Sequence, residues 1–287
     1  MDQPPQMKTA NACISAPAVQ RAVILAAGLG KRMRRTDPQV HLETRQDTAA
    51  SAGLKAMIPF DRPFLDYVLT PLADAGITEV CLVIGPQHDE IRRYYGCPGI
   101  SERLHITFAV QQNPRGTADA LLAAETFTHQ EPFLVMNSDN YYPLSAIASL
   151  CQRSSPGVVG YLRRGMLHGS NITAERLCQF AVIKSNMQGE LEMIIEKPSS
   201  NILSNLPEPV LLSMNSWRFD NHIFDACRAT QPSARGELEL PEAVMISMRK
   251  YGVRYGVVMC DEPVLDLSQR SDIQAVAEHL SGLEVRL

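Results

Sequence analysis

The chain of 287 residues has no apolar stretch approaching the roughly 20 residues that span a bilayer, so no membrane-crossing helix is expected. Its opening residues, MDQPPQMKTANACISAPA, lack the unbroken apolar core of a secretory signal. They are rich in Pro, Ala and polar residues without periodicity. Residues 1–19 are therefore expected to form a flexible tail and residues 20–287 a single domain. Positive charge is not in excess, because 27 Lys and Arg stand against 31 Asp and Glu, a formal net charge of −4. That balance argues against nucleic acid and anionic membrane as partners, which call for a basic patch or stripe, but it leaves room for a local cationic pocket. No C-x-x-C pair occurs among the seven cysteines, and their odd number and scatter fit reduced, structural thiols. A cytoplasmic location follows from these absences as an expectation. No internal repeat is visible.

What is present is a 45% apolar chain whose patterning alternates. From Arg21 onward, short β-branched runs alternate with amphipathic stretches, the pattern of an α/β fold with a sheet flanked by helices. Strands are expected at Ala22 to Leu25, Glu79 to Ile84, His105 to Val110 and Phe133 to Asn137. Helices are expected over Pro63 to Gly76, near Gln87 to Tyr95 and over Thr117 to Phe127. The second half is less regular. It holds a strand at Val158, a hairpin of Phe180 to Lys184 and Glu190 to Lys197 turning at Asn186 to Gly189, helices at His222 to Arg228 and Glu239 to Lys250, a strand at Val253 to Met259 and a closing helix from Arg270. The polar stretch Arg34 to Gly53 carries both charges and no sustained apolar period, which reads as a lid or a disordered loop.

The most informative string is LAAGLGKRM, Leu25 to Met33, directly after the apolar run Ala22-Val23-Ile24. A strand that empties into Gly28 and Gly30 frees backbone N–H groups from side-chain cover, and Lys31 and Arg32 add charge, so the loop is suited to hold phosphates. It is not a dinucleotide fingerprint, because Met33 stands where the third glycine of G-x-G-x-x-G belongs. Nor is it a Walker loop: one residue separates the two glycines, and Arg32 replaces the magnesium-binding hydroxyl.

LAAGLGKRM resembles the signature of the sugar-1-phosphate nucleotidyltransferases. Further strings match that family in order from Arg21 to about Leu280: GLKAMIPF around Lys55, QQNPRGTADAL from Gln111, NSDN around Asp139, IIEKP ending at Pro198, RGELELPEAV from Arg235 and VLDLSQRSDI around Asp266. The pattern is most similar to the glucose-1-phosphate thymidylyl- and uridylyltransferases. The resemblance implies a Rossmann-like mixed sheet of the GT-A-like, nucleotide-diphospho-sugar transferase type. It also implies a magnesium-dependent condensation of an NTP with a sugar-1-phosphate to an NDP-sugar and pyrophosphate.

Carried over residue by residue, the resemblance assigns the nucleotide to Leu25, Ala26, Ala27, Gly28, Gly30, Lys31, Gln111, Gly116 and Thr117. Arg32 would contact the triphosphate, Lys55 would lie near the reacting phosphate and Lys197 would bind the acceptor phosphate. Glu196 would accept from sugar hydroxyls, with Asn215, Trp217 and Glu237 as further sugar-site candidates, although Trp217 reads equally as core. Asp139 and Asp266 would hold Mg2+, while Asp272 opens a helical pattern and reads as a cap. Two departures stand out: Ser138 precedes the first metal aspartate where the family more often has glycine, and Phe180-Ala181-Val182 replaces Y-G-V, so no sugar contact is assigned at Ala181. UTP or dTTP is favoured as the NTP, though a glutamine amide both donates and accepts and does not by itself choose a base. Two alternatives stay open: the same chemistry on phosphocholine or a phosphonate, and a catalytically silent nucleotide-sugar binding module. The oligomeric state, homo-oligomer or not, is open too.

Overall fold

A computed structural model describes residues 19–287. The tail expected over residues 1–19 lies outside the described residues except for Val19, which is buried. The strands in chain order are β1 (Arg21–Leu25), β2 (Glu79–Ile84), β3 (His105–Val110), β4 (Phe133–Asn137), β5 (Asn140–Tyr141), β6 (Gly157–Leu162), β7 (Ala181–Ser185), β8 (Leu191–Ile195), β9 (Leu211–Phe219), β10 (Gly256–Cys260) and β11 (Leu265–Asp266). Nine of them form one sheet with the order β10-β6-β9-β4-β1-β2-β3, while β7 pairs with β9 and β8; β5 and β11 form a separate two-stranded ribbon. The sheet is mixed. β1 is parallel to β2 and β4, and β10 is parallel to β6, whereas β9 runs antiparallel to β4, β6 and β7.

The period of two along each strand sorts side chains onto two cores. Ala22 and Ile24 of β1, Val80 and Leu82 of β2 and Leu134 and Met136 of β4 face one cluster. It also holds residues from helices α2 (Phe64–Asp74), α5 (Leu144–Cys151) and α10 (Asp272–Leu280). Val23, Cys81, Val135, Trp217 and Phe219 face the other, with α4 (Thr117–Leu122), α8 (His222–Ala229) and α9 (Leu240–Tyr251). Burial on both faces explains why the parallel strands read as continuous apolar runs.

The remaining helices are α1 (Thr44–Ala52), α3 (Asp89–Tyr95), α6 (Arg163–Gly169) and α7 (Ser200–Asn205). α1 falls within the stretch expected to be a lid or disordered. It is started by a reciprocal capping box between Glu43 and Gln46 and stopped at Gly53. Only Ala49 and Ala50 of α1 are buried, too thin a stripe for an apolar period to reveal. The helix expected over Thr117 to Phe127 ends at Leu122 and continues as a short 3-10 turn at Glu125–Thr128.

Chain direction positions the site. From β1 the chain goes to β2 and β3 on one side and reaches β4 on the other, so the carboxyl ends of β1 and β4 flank the point where the strand order reverses. Crevices at such points are where open α/β sheets bind ligands. Leu25 and Asn137 are register partners there. The glycine loop after β1 and the Asp139 turn therefore leave the sheet side by side.

Candidate active site

The loop after β1 keeps one ladder contact, Ala26 N–H to the Val83 carbonyl at 2.8 Å, and then leaves the sheet. Ala26 and Ala27 are buried, Gly28 is exposed, and Gly30 takes a φ of 59°. A Cβ on Gly30 would collide with the Gly53 carbonyl oxygen, so this glycine is set by close backbone approach as well as by its torsion. Met33 is fully buried. Its side chain anchors the loop in the core, where a dinucleotide fold would bring a helix close through glycine. Lys31 and Arg32 stay exposed, and Arg32 Nη1 donates to Gln179 Oε1 at 2.8 Å.

The two aspartates meet through the small ribbon. β5 and β11 pair antiparallel with Asp266 opposite Asn140, and Leu267 N–H donates to the Asp139 carbonyl at 2.8 Å, which fixes the two carboxylate-bearing turns together. Lys55, opening a 3-10 turn at Lys55–Met57, bonds the Asp139 carboxylate through Nζ. Asp266 is 3% exposed; its Oδ1 accepts from Asn140 Nδ2 at 3.0 Å, and its Oδ2 accepts from Arg176. Burial and the charge of Asp139 push the Asp266 carboxyl up, against the Ser268 hydrogen bond and the Arg176 guanidinium. The donor set suits a hard divalent cation, being two neighbouring carboxylates without thiolate or imidazole. No cluster of three or more His, Cys, Asp and Glu side chains able to hold a metal occurs among the described residues. A cation on this pair would complete its shell from substrate oxygens and water.

A cleft of about 360 Å³ lies between the glycine loop, Lys55 and Asp139, while Arg32 and Asp266, both expected in the site, stand outside its lining. It is lined by Leu25 through Lys31, Lys55, Gln111, Gly116, Thr117, Asp139, Asn215 and Glu237, among others. On the side of the cleft formed by β3 and α4, Gln111 Nε2 donates to the Gly116 carbonyl at 3.0 Å and to Asp119 Oδ2 at 2.8 Å. Both partners only accept, which fixes the orientation of the amide and leaves Oε1 as the group available to a ligand. Gly116 sits at φ 118°, where a Cβ would meet the Leu238 backbone, and Thr117 Oγ1 accepts from Leu240 N–H at 2.9 Å, tying α4 to α9.

The residues expected to meet the sugar phosphate are more dispersed. Asn215 occupies the left-handed region at φ 56°, where the pairing of β9 with β6 shifts register between Val158 and Gly160. An asparagine tolerates that conformation, and the bulge turns its side chain towards the cleft. Trp217 does not line the cleft. It is fully buried, stacks on Phe219 at 5.6 Å and donates Nε1 to Asn215 Oδ1 at 3.4 Å, so it reaches the site only through Asn215. Glu196 and Lys197 follow β8, are exposed and stand outside the cleft lining. Lys197 is also left-handed, at φ 42°. Partial loss of hydration and repulsion from Glu239 push the Glu196 carboxyl up to about 7, with Arg235 opposing.

Asp272 does not cap the first turn of α10. Its Oδ2 accepts from Ser268 N–H and Gln269 N–H, both at 2.9 Å, and so closes the turn before the helix. Sequence reasoning missed His88, Asn171, Arg176 and Gln179. His88 lines the cleft and is 2% exposed, with burial lowering its pKa, and only its place four residues after β2 hints at a role. The other three lie in a segment without any motif.

Comparison with known proteins decides the family. A model described as nucleotidyl transferase matches residues 21–278. The chain belongs to that family. It is 30% identical over 224 residues to a glucose-1-phosphate thymidylyltransferase of Streptomyces antibioticus, covering 78% of this chain but 56% of that protein. It is 28% identical over 268 residues to the UTP–glucose-1-phosphate uridylyltransferase AglF of Haloferax volcanii, covering 91% of this chain and 96% of the relative. The chain thus spans little more than half the length of some curated relatives and nearly all of others. In fold, this nucleotidyl transferase is similar to the UTP-bound UGPase of Acinetobacter baumannii, with a TM-score of 0.70 at 17% identity over 93% of this chain and 95% of that one. The Rossmann-like mixed sheet implied by the motifs is therefore present. No helix among the described residues is long and apolar enough to cross a membrane.

Proposed function

We propose that the protein condenses a uridine or thymidine triphosphate with a sugar-1-phosphate, forming an NDP-sugar and releasing pyrophosphate. The observation that carries this reading is the convergence of the glycine loop, Lys55 and Asp139 on one cleft at the carboxyl ends of β1 and β4, with Asp266 held behind Asp139 by the β5–β11 pairing. The sugar-phosphate oxygen attacks the α-phosphorus, one P–O bond forms as the bond to pyrophosphate breaks, and no covalent enzyme intermediate is needed. Two anions have to approach, so catalysis rests on positioning and charge compensation rather than on a general base. The loop amides with Lys31 and Arg32 hold the β- and γ-phosphates, and Lys55 offsets charge at the reacting phosphate. Asp139 and Asp266 would hold Mg2+, which would supply charge neutralisation on the phosphates.

Support for the base comes from Gln111. With its amide nitrogen committed to Gly116 and Asp119, Oε1 suits the N3–H of uracil or thymine and mismatches the bare N3 of cytosine. That disfavours a cytidylyl transfer to phosphocholine or a phosphonate. Asn215, Glu237 and Glu196 are the groups proposed to read sugar hydroxyls, and Lys197 the acceptor phosphate.

A matrix of nucleoside triphosphates against phosphorylated acceptors, scored by pyrophosphate release, tests the reading. UTP and dTTP with a hexose-1-phosphate should lead, CTP should fail, and Asp139→Asn should abolish turnover with an unchanged circular dichroism spectrum. Near-normal release by that variant, or no release with any pair, refutes it.

A further inference from the structure

Between β6 and β7 the chain inserts α6 and a 3-10 helix, Ala174–Gln179, a stretch in which no sequence motif was found. Three residues of this insertion grip two site residues from different parts of the chain. Asn171 clasps the Asp266 backbone from both sides: its Oδ1 accepts from Asp266 N–H at 2.9 Å and its Nδ2 donates to the Asp266 carbonyl at 2.7 Å. Arg176 reaches the Asp266 carboxylate through Nη2 and Asp272 Oδ1 through Nη1, the latter at 2.5 Å. Gln179 accepts from Arg32 of the phosphate loop.

Building on the reading of Asp266 as a metal carboxylate, we infer that Arg176 is a positioning residue that presets Asp266 for a divalent cation before substrate arrives. The insertion acts as the template joining that carboxylate to the phosphate loop. Each Asp266 oxygen is engaged from a different direction, by Asn140 and by Arg176, so the carboxylate cannot swing about its last torsion. An ionised carboxylate has about four lone-pair sites, so two such bonds leave acceptor capacity for a cation shared with Asp139. A guanidinium suits this task better than an ammonium, because its planar fork spans two carboxylates at once.

Charge balance favours the same role. The side chains of Arg176, Asp266 and Asp272 are 12%, 5% and 4% exposed, so their charges are poorly screened. One cation between two carboxylates leaves a single net negative charge, and Lys55 already offsets Asp139. Without Arg176, two buried carboxylates would face each other with no cation between them, and the Asp266 side chain would turn away from Asp272. The negative charge of Asp272, its second partner, offsets part of the repulsion that Arg176 offers to an incoming cation.

The test is Mn2+ binding to the full chain without nucleotide, followed by titration calorimetry, beside the Mg2+ dependence of pyrophosphate release. Wild type should bind Mn2+ saturably. Arg176→Met should bind it about 10- to 100-fold more weakly and need correspondingly more Mg2+ for half-maximal rate, while retaining most of kcat once Mg2+ saturates, as loss of an outer-shell partner does. Arg176→Lys should recover part of the affinity. Arg176→Met combined with Asp272→Asn removes one buried carboxylate charge along with the cation; it guards against misfolding of the single variant and should still bind Mn2+ more weakly than wild type, because the bond that orients Asp266 is missing. If Asp266→Asn leaves Mn2+ affinity unchanged, the metal reading of that carboxylate fails. If Asp266→Asn abolishes binding while the Arg176 variants stay within threefold of wild type, the metal reading stands and the role of Arg176 is overturned. Absence of Mn2+ binding by wild type without nucleotide also overturns it, because a preset site binds its cation unaided.

Discussion

Lys55→Met separates the structural from the chemical contribution of one side chain. Lys55 Nζ bonds the Asp139 carboxylate, and the two side chains are only 17% and 21% exposed, so the pair is neither a freely solvated surface contact nor a fully buried one. A charge-assisted hydrogen bond in such a setting contributes about 1.5–3 kcal/mol, and removing the cation leaves Asp139 to regain water through its remaining exposure. A stability loss of about 2 kcal/mol follows, lowering the melting midpoint by roughly 4 °C for a domain of this size. A protein with ordinary stability of about 5–15 kcal/mol stays more than 95% folded after that loss, so unfolding cannot explain a large fall in rate. Loss of a preorganised positive group at a reacting phosphate should lower kcat about 100- to 1000-fold, by analogy with deletion of a single oxyanion donor. The assay is initial-rate pyrophosphate release at saturating substrates and Mg2+, with thermal melting on the same preparation. A kcat within threefold of wild type, alongside the expected drop in melting midpoint, would show that Lys55 only braces Asp139 and would refute its catalytic assignment.

Two further perturbations follow from the charges around the sheet. The Glu196 carboxyl, pushed up to about 7 from an ordinary 4.5, binds its proton more tightly in the folded chain than in the unfolded one. Its contribution to stability is therefore present below about 4.5 and lost as pH rises through about 7. Glu196→Gln should flatten that part of the stability profile, and in wild type the KM for the sugar phosphate should fall between pH 6 and 8 as the carboxylate forms. A variant profile parallel to wild type in both measurements would contradict the assignment. Arg218, on β9, is 3% exposed and its Nε has no acceptor among the described residues; burial lowers its pKa. Arg218→Met should raise stability by on the order of 1 kcal/mol in thermal or urea unfolding, because it removes a poorly compensated buried charge, and a lowered midpoint would count against this account.

The parts of the site legible in the sequence are those whose chemistry needs a local string. A strand emptying into Gly28 and Gly30 shows itself because backbone geometry at Gly30 tolerates no Cβ, and Asp139 is visible as the acidic residue at the end of an apolar run. Gln111 shows its place but not its polarity, because the direction of its amide depends on Gly116 and on Asp119 in the first turn of α4. α1 escapes periodicity because it buries only two alanines. Arg176, Asn171 and Gln179 escape entirely, because an arginine or amide in a polar segment looks the same whether it meets water or a carboxylate ninety residues away.

By itself, then, the sequence determined the alternation of strands and helices, the glycine loop after the first strand and the order of the charged residues that follow it. These are written in short-range patterns: burial on both sheet faces, glycine where backbones touch, and charge at strand ends. Only the tertiary structure decided which of those residues meet. Asp139 and Asp266 lie 127 positions apart along the chain and become neighbours because β5 and β11 pair. The antiparallel β9, inserted between β4 and β6, brings Asn215 to the same cleft. Pairing between distant strands and the partners of buried polar groups depend on the whole packed sheet, which no local window of sequence contains.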